Sequence, residues 1–127
     1  MADSAADILA LAERLARASA RGDNEEIARC YAPDARIWRN FDGQEQTIED
    51  MFKVSRWINK KLTNRVYKVQ RREAIPGGYV QQHVMTGTLA NGDIFELPAM
   101  LVALVEDGRI TRVEEYLDSV QADKLRG

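Results

Sequence analysis

One cysteine and one histidine set the first limits on this sequence. Cys30 has no partner for an internal disulfide, and a cysteine-rich metal site is excluded with it. A zinc site would have to be built almost entirely from carboxylates, a poor donor set for that ion, so no metal and no cofactor is expected. An excess of one charge is also missing. The 18 Lys and Arg against 20 Asp and Glu leave a net charge of -2, without the basic stripe that a phosphate backbone requires. The cluster of Lys60, Lys61, Arg65, Lys68, Arg71 and Arg72 is interspersed with apolar residues and reads as solvated surface, so no nucleic-acid partner is expected. No stretch approaches the roughly 20 apolar residues of a membrane span, and the first helical segment is too charged for a signal peptide. The expectation is a cytoplasmic protein with no membrane partner.

What is present is enough for one domain over residues 1–127, able to bury roughly two thirds of the surface its unfolded chain would expose. The chain is organised around Ile94 to Asp118, two strands joined by a tight turn at Asp107-Gly108. Leu97 to Val105 is apolar at almost every position, and such a run implies a strand covered on both faces. The second arm carries Glu114, Glu115, Tyr116, Leu117 and Asp118 to the end of this hairpin.

Upstream, Ser4 with Asp7 has the spacing of a capping box and opens a helix whose apolar face is Ile8, Leu11, Ala12 and Leu15. Gly22 ends it, and Asp23 with Glu26 opens a shorter helix through Ile27 and Cys30, where the cysteine falls on the apolar face as packing. Ala32-Pro33-Asp34-Ala35 breaks that helix. Arg36 to Phe41 reads as a short strand with Ile37, Arg39 and Phe41 on one side and Trp38 and Asn40 on the other. Thr47 with Asp50 opens a third helix through Met51, Ser55, Ile58 and Leu62. Turn signals at Pro76-Gly77-Gly78, Asn91-Gly92 and Asp107-Gly108 then mark a four-strand antiparallel meander. Pro98 within it suggests an edge position or a bulge, and the polar tail after Asp118 is expected to fray.

This order resembles the SnoaL-like branch of the nuclear transport factor 2-like superfamily. The likeness is carried by Gly22-Asp23-x-x-x-Ile27-x-x-Cys30-Tyr31-Ala32-Pro33-Asp34-Ala35 and by the Asp107-Gly108-Arg109-Ile110 turn running into Glu114 to Asp118. It implies an α+β fold, a cone-shaped curved antiparallel sheet wrapped around N-terminal helices. A mostly apolar pocket for a small apolar or ring-containing molecule, and a homodimer through the outer sheet face, are implied with it. In limonene epoxide hydrolases of this superfamily an aromatic-x-Asn pair, an Arg-x-Asp pair and a final Asp form the site. Trp38-x-Asn40 is similar to the first and Asp118 to the last, whereas Gln81-x-His83 stands in place of the middle pair and removes its carboxylate. Small polyketide cyclases and dehydratases of the branch resemble a simpler plan, with a pocket Asp or His as base.

His83 is the residue whose ordinary pKa is closest to neutrality, so it and Asp118 are the candidates for proton transfer in an isomerase, dehydratase or cyclase reaction. Tyr31, Trp38, Asn40, Met51, Ser55 and Tyr116 are candidates for lining the pocket. A non-catalytic ligand-binding module and a dimerisation module are the alternatives. Strand parity decides whether the pair can meet. A two-residue Asp107-Gly108 turn puts Asp118 opposite Leu97, on the face of Ala99, Leu101 and Tyr116, and a three-residue turn at Asn91 brings His83 to that face, opposite Leu101.

Overall fold

Three side-chain caps fix where the main helices begin. In the computed structural model, which describes residues 3–126, Ser4 accepts from the amide of Asp7 at 3.1 Å and starts α1, Ala5–Arg21. Gly22, at φ 69°, ends α1 in the left-handed conformation that glycine adopts without steric cost. Asp23 caps α2, Asn24–Cys30, and a reciprocal Thr47/Asp50 capping box starts α3, Ile48–Lys61. The strands are β1 (Tyr31–Arg39), β2 (Glu45–Gln46), β3 (Leu62–Ile75), β4 (Gly78–Leu89), β5 (Ile94–Glu106) and β6 (Arg109–Leu117), followed by a short α4, Ser119–Asp123.

The six strands form one sheet in the order β2-β1-β6-β5-β4-β3. β3 to β6 are the expected antiparallel meander, while β1 returns to pair in parallel with β6. The helices pack into the concave face of this α+β cone and create two apolar clusters. One joins Ile8, Leu11 and Ala12 of α1 with Ile27 and Cys30 of α2 and with Ile37, Tyr79, Ala103 and Ile110 of the sheet. The other, at the opposite end, gathers Leu62, Met85, Phe95 and Leu97 around Leu125. The expected fraying of the tail is therefore corrected: Asp118 caps α4, and the buried Leu125 anchors the segment. Among the described residues no helix is long and apolar enough to cross a membrane.

Two readings of β5 also change. Pro98 causes no bulge, since β4 pairs without interruption from Gly78 to Thr88. It lies one residue beyond the last β5–β6 pair, Ala99 with Leu117, so its missing N–H falls where the ladder has ended. The apolar run is covered on one side only. Met100 and Leu104 are 42% and 39% exposed, and no segment among the described residues covers this outer face.

Besides an irregularity in β1 between Tyr31 and Arg36, three register shifts in the meander decide which of its side chains face inward. The Asp107-Gly108 turn has two residues, both at positive φ, as a hairpin of this twist requires. Thr111 is then an extra residue in β6: Val105 pairs with Ile110 but Leu104 pairs with Arg112. In β3, Asn64 and Arg65 fall between the pairs Thr63 with Thr88 and Val66 with Thr86, and Gln70 falls between the pairs Val69 with His83 and Arg71 with Gln82. Each extra residue exchanges inner for outer positions beyond it.

Candidate functional site

Arg72 of β3, Gln81 of β4, Leu101 of β5, Glu115 of β6 and Arg39 of β1 form one transverse row, each paired in register with the next. The row crosses the concave face between the two apolar clusters. At one end Arg39 Nε donates to Glu115 Oε1 at 2.8 Å, while its NH1 donates to Gln46 at 2.6 Å. Burial opposes the charge on Arg39, but the adjacent Glu115 carboxylate outweighs it and holds the guanidinium above its ordinary pKa. Glu115 Oε2 accepts no hydrogen bond among the described residues.

At the other end a relay sets the state of His83. Arg72 is tied to Glu13 of α1 at 2.8 Å and donates its Nε to Gln81 Oε1 at 2.8 Å. A guanidinium can only donate, so the Gln81 oxygen must face it and the Gln81 NH2 must face His83 Nδ1, 2.9 Å away. Nδ1 therefore accepts, and the neutral imidazole carries its proton on Nε2. His83 is 4% exposed, with the Tyr67 ring edge-on at 5.5 Å between centroids. Burial lowers the imidazole pKa, Arg72 lowers it further and Glu115 partly offsets them. The result is a neutral hydrogen-bond donor.

Two neighbouring cavities border this row. The inner one is about 130 Å³ and the outer about 430 Å³, and His83, Glu115, Arg39, Arg65 and Tyr67 line both. The outer volume lies within the range of roughly 300–1,000 Å³ typical of small-molecule sites. Its remaining walls are largely apolar, including Ile58, Met85, Leu97, Leu117 and Trp57. Tyr31 and Tyr79 stand in the inner cavity, where burial pushes both phenols well above the usual range, so they remain neutral.

Of the residues singled out in the sequence, His83, Tyr31, Met51 and Ser55 line the inner cavity. His83 pairs with Ala99, two residues from the expected Leu101 but on the same face. Its loop at Ala90-Asn91-Gly92 has three residues, closed by the Leu89 amide on the Asp93 carbonyl at 2.9 Å.

Trp38, Asn40, Tyr116 and Asp118 lie elsewhere. The Thr111 bulge moves Glu115 to the inner position opposite Leu101 and turns Tyr116 outward, where it is 57% exposed and meets Trp38 edge-on at 5.2 Å. Asn40 bridges the backbone of Leu117, donating at 3.3 Å and accepting at 3.0 Å. Asp118 is exposed, and its carboxylate accepts from the amides of Val120 and Gln121 at the start of α4. His83 and Asp118 both border a shallow outer groove. The imidazole, however, is engaged on the inner side by Gln81 and Tyr67. His83 thus shares both cavities with Glu115, and Asp118 only the shallow outer groove.

Sequence reasoning missed Glu115, Arg39, Arg65 and Tyr67. Arg39 was legible as a charged residue sharing a strand face with Ile37; the others depend on bulges.

A profile of the SnoaL-like domain matches residues 12–113. Among solved structures, IdmH of Streptomyces antibioticus, a candidate polyketide cyclase, superposes with a TM-score of 0.80 at 22% identity, over 92% of this chain and 96% of its own. AclR of Streptomyces galilaeus, a candidate hydroxylase, gives a TM-score of 0.85 at 17% identity, over 97% of this chain and 87% of its own. A protein of ketosteroid isomerase-like fold from Catenulispora acidiphila, in complex with trimethylamine, gives 0.73 at 14% identity, over 84% of this chain and 83% of its own. At these identities the likeness is one of fold. No sequence among the curated proteins matches the chain.

Proposed function

The chain belongs to the SnoaL-like domain family, and from that premise we propose that it binds a compact, largely apolar small molecule in the cone and moves a proton on it. The observation that carries this reading is the buried His83, set as an Nε2–H donor by Gln81 and facing the same cavity as the carboxylate of Glu115. A carbonyl oxygen of the ligand accepts from His83. A proton on the adjacent carbon passes to Glu115 Oε2, and the electron pair of the broken C–H bond forms an enolate stabilised by the imidazole N–H. Return of the proton at another carbon is isomerisation, loss of a β-hydroxyl is dehydration, and attack of the enolate on a second carbonyl is cyclisation. The apolar walls keep water from competing for the hydrogen bond.

The ring ketone 2-tetralone tests the first step without knowledge of the natural substrate. In deuterated buffer the protein is expected to accelerate deuterium uptake next to the carbonyl, and Glu115→Gln and His83→Asn are expected to abolish the acceleration. Binding of 2-tetralone without faster exchange would replace the enzymatic reading with a binding module of the same fold.

The exposed Met100 and Leu104, with the outward Trp38–Tyr116 pair, favour a homodimer through the outer face. Met100→Glu is expected to yield a monomer in sedimentation, while a monomeric unaltered protein would remove the dimer.

A further inference from the structure

Arg65 is turned into the cavity by an irregular piece of backbone. Between the pairs Thr63 with Thr88 and Val66 with Thr86, Asn64 and Arg65 face the lone Gly87. With regular pairing, Arg65 and Tyr67 would share the outer face of Thr86 and Val84; the extra residue brings both inside. The turn is made at Asn64, whose φ of 55° is in the left-handed region that asparagine tolerates better than most residues.

The charge delivered there has no counter-ion among the described residues. Arg65 NH1 donates to Asn59 Oδ1 at 3.1 Å and NH2 to the Tyr67 hydroxyl, both neutral acceptors. Its Nε is buried with no acceptor among the described residues. The other charges lining the two cavities are balanced or wet: Arg39 pairs with Glu115, Arg126 with Asp123, and Asp42 is exposed at the rim. A partly buried cation without a partner is unfavourable in the empty protein and attracts an anion.

The geometry points to Arg65 as the subsite for a carboxylate on a largely apolar, monoanionic ligand. The inference rests on the small-molecule reading above and names the substrate class for that site. A planar guanidinium suits a carboxylate, which would take the Nε–H and compete with the Tyr67 hydroxyl for the adjacent NH2, leaving NH1 on Asn59. The apolar body of the ligand then lies toward Leu97 and Leu117, with His83 and Glu115 beside it.

The test compares 1-naphthoate with 1-naphthamide, matched in ring and differing in charge, by NMR titration at low salt. Naphthoate is expected to bind about tenfold more tightly, as charge-assisted pairing predicts, with the preference lost in Arg65→Gln and retained in part in Arg65→Lys. Equal binding of both compounds to the unaltered protein overturns the Arg65 assignment and leaves the cavity a small-molecule site. A naphthoate preference that persists in a folded Arg65→Gln variant also overturns it. If neither compound binds, the small-molecule reading itself fails and the inference falls with it.

Discussion

The side-chain amide of Gln81 lies 2.9 Å from Nδ1 of His83, and because Arg72 holds the amide oxygen the contact admits one neutral tautomer. Nitrogen-15 NMR of labelled protein is expected to show His83 protonated at Nε2. Gln81→Glu places a carboxylate against Nδ1, which is expected to move the proton to Nδ1 and raise the imidazole pKa. An Nδ1–H imidazole in the unaltered protein contradicts the relay.

The same burial makes stability depend on pH. The folded pKa of His83 lies below its ordinary 6.5, under the opposing influence of Glu115 and the reinforcing one of Arg72. Below 6.5 the unfolded chain takes up a proton that the folded one does not. The His83 contribution is therefore complete above pH 6.5, declines as the pH falls toward the folded value and is constant below it. His83→Asn is expected to remove that slope from the pH profile of urea unfolding. An unchanged slope assigns it to other groups.

Arg39 and Glu115 form a largely buried ion pair, with side chains 19% and 15% exposed. Glu115→Leu strands a guanidinium and is expected to cost about 2 kcal/mol, the scale of a lost hydrogen bond to a charged group. Adding Arg39→Met recovers part of it, because the stranded charge is removed. Urea midpoints of the two single variants and the double variant give the coupling; strict additivity contradicts a direct pair.

Asn64 carries the left-handed turn that aims Arg65 and Tyr67. Asn64→Gly keeps that conformation and is expected to change stability little, whereas Asn64→Val costs about 2 kcal/mol and weakens naphthoate binding. Equal thermal midpoints for the two variants count against strain at this residue.

Much of the architecture was legible because its signals are local. Ser4, Asp23 and Thr47 cap the helices they were expected to cap, and the turns at Asn91 and Asp107 give the meander its order. The site was less legible, because facing depends on counting residues across bulges. Trp38 does lie opposite Ile37 and Arg39, as alternation required, but its face is the outer one, beside Tyr116, and Asn40 falls past the end of β1. Thr111 carries no bulge signature, yet it alone exchanges Tyr116 for Glu115 in the cavity. Asp118 could have been read differently, since an Asp before Ser119 is a favourable N-cap.

The most direct measurement is the pattern of NMR shift changes when 2-tetralone is added to nitrogen-15-labelled protein. The account predicts changes at the His83 imidazole and the Gln81 side-chain amide, with the Trp38 indole unmoved. Changes at Trp38 and the amides following Asp118, with His83 and Gln81 silent, would place the ligand on the outer face and contradict a site inside the cone.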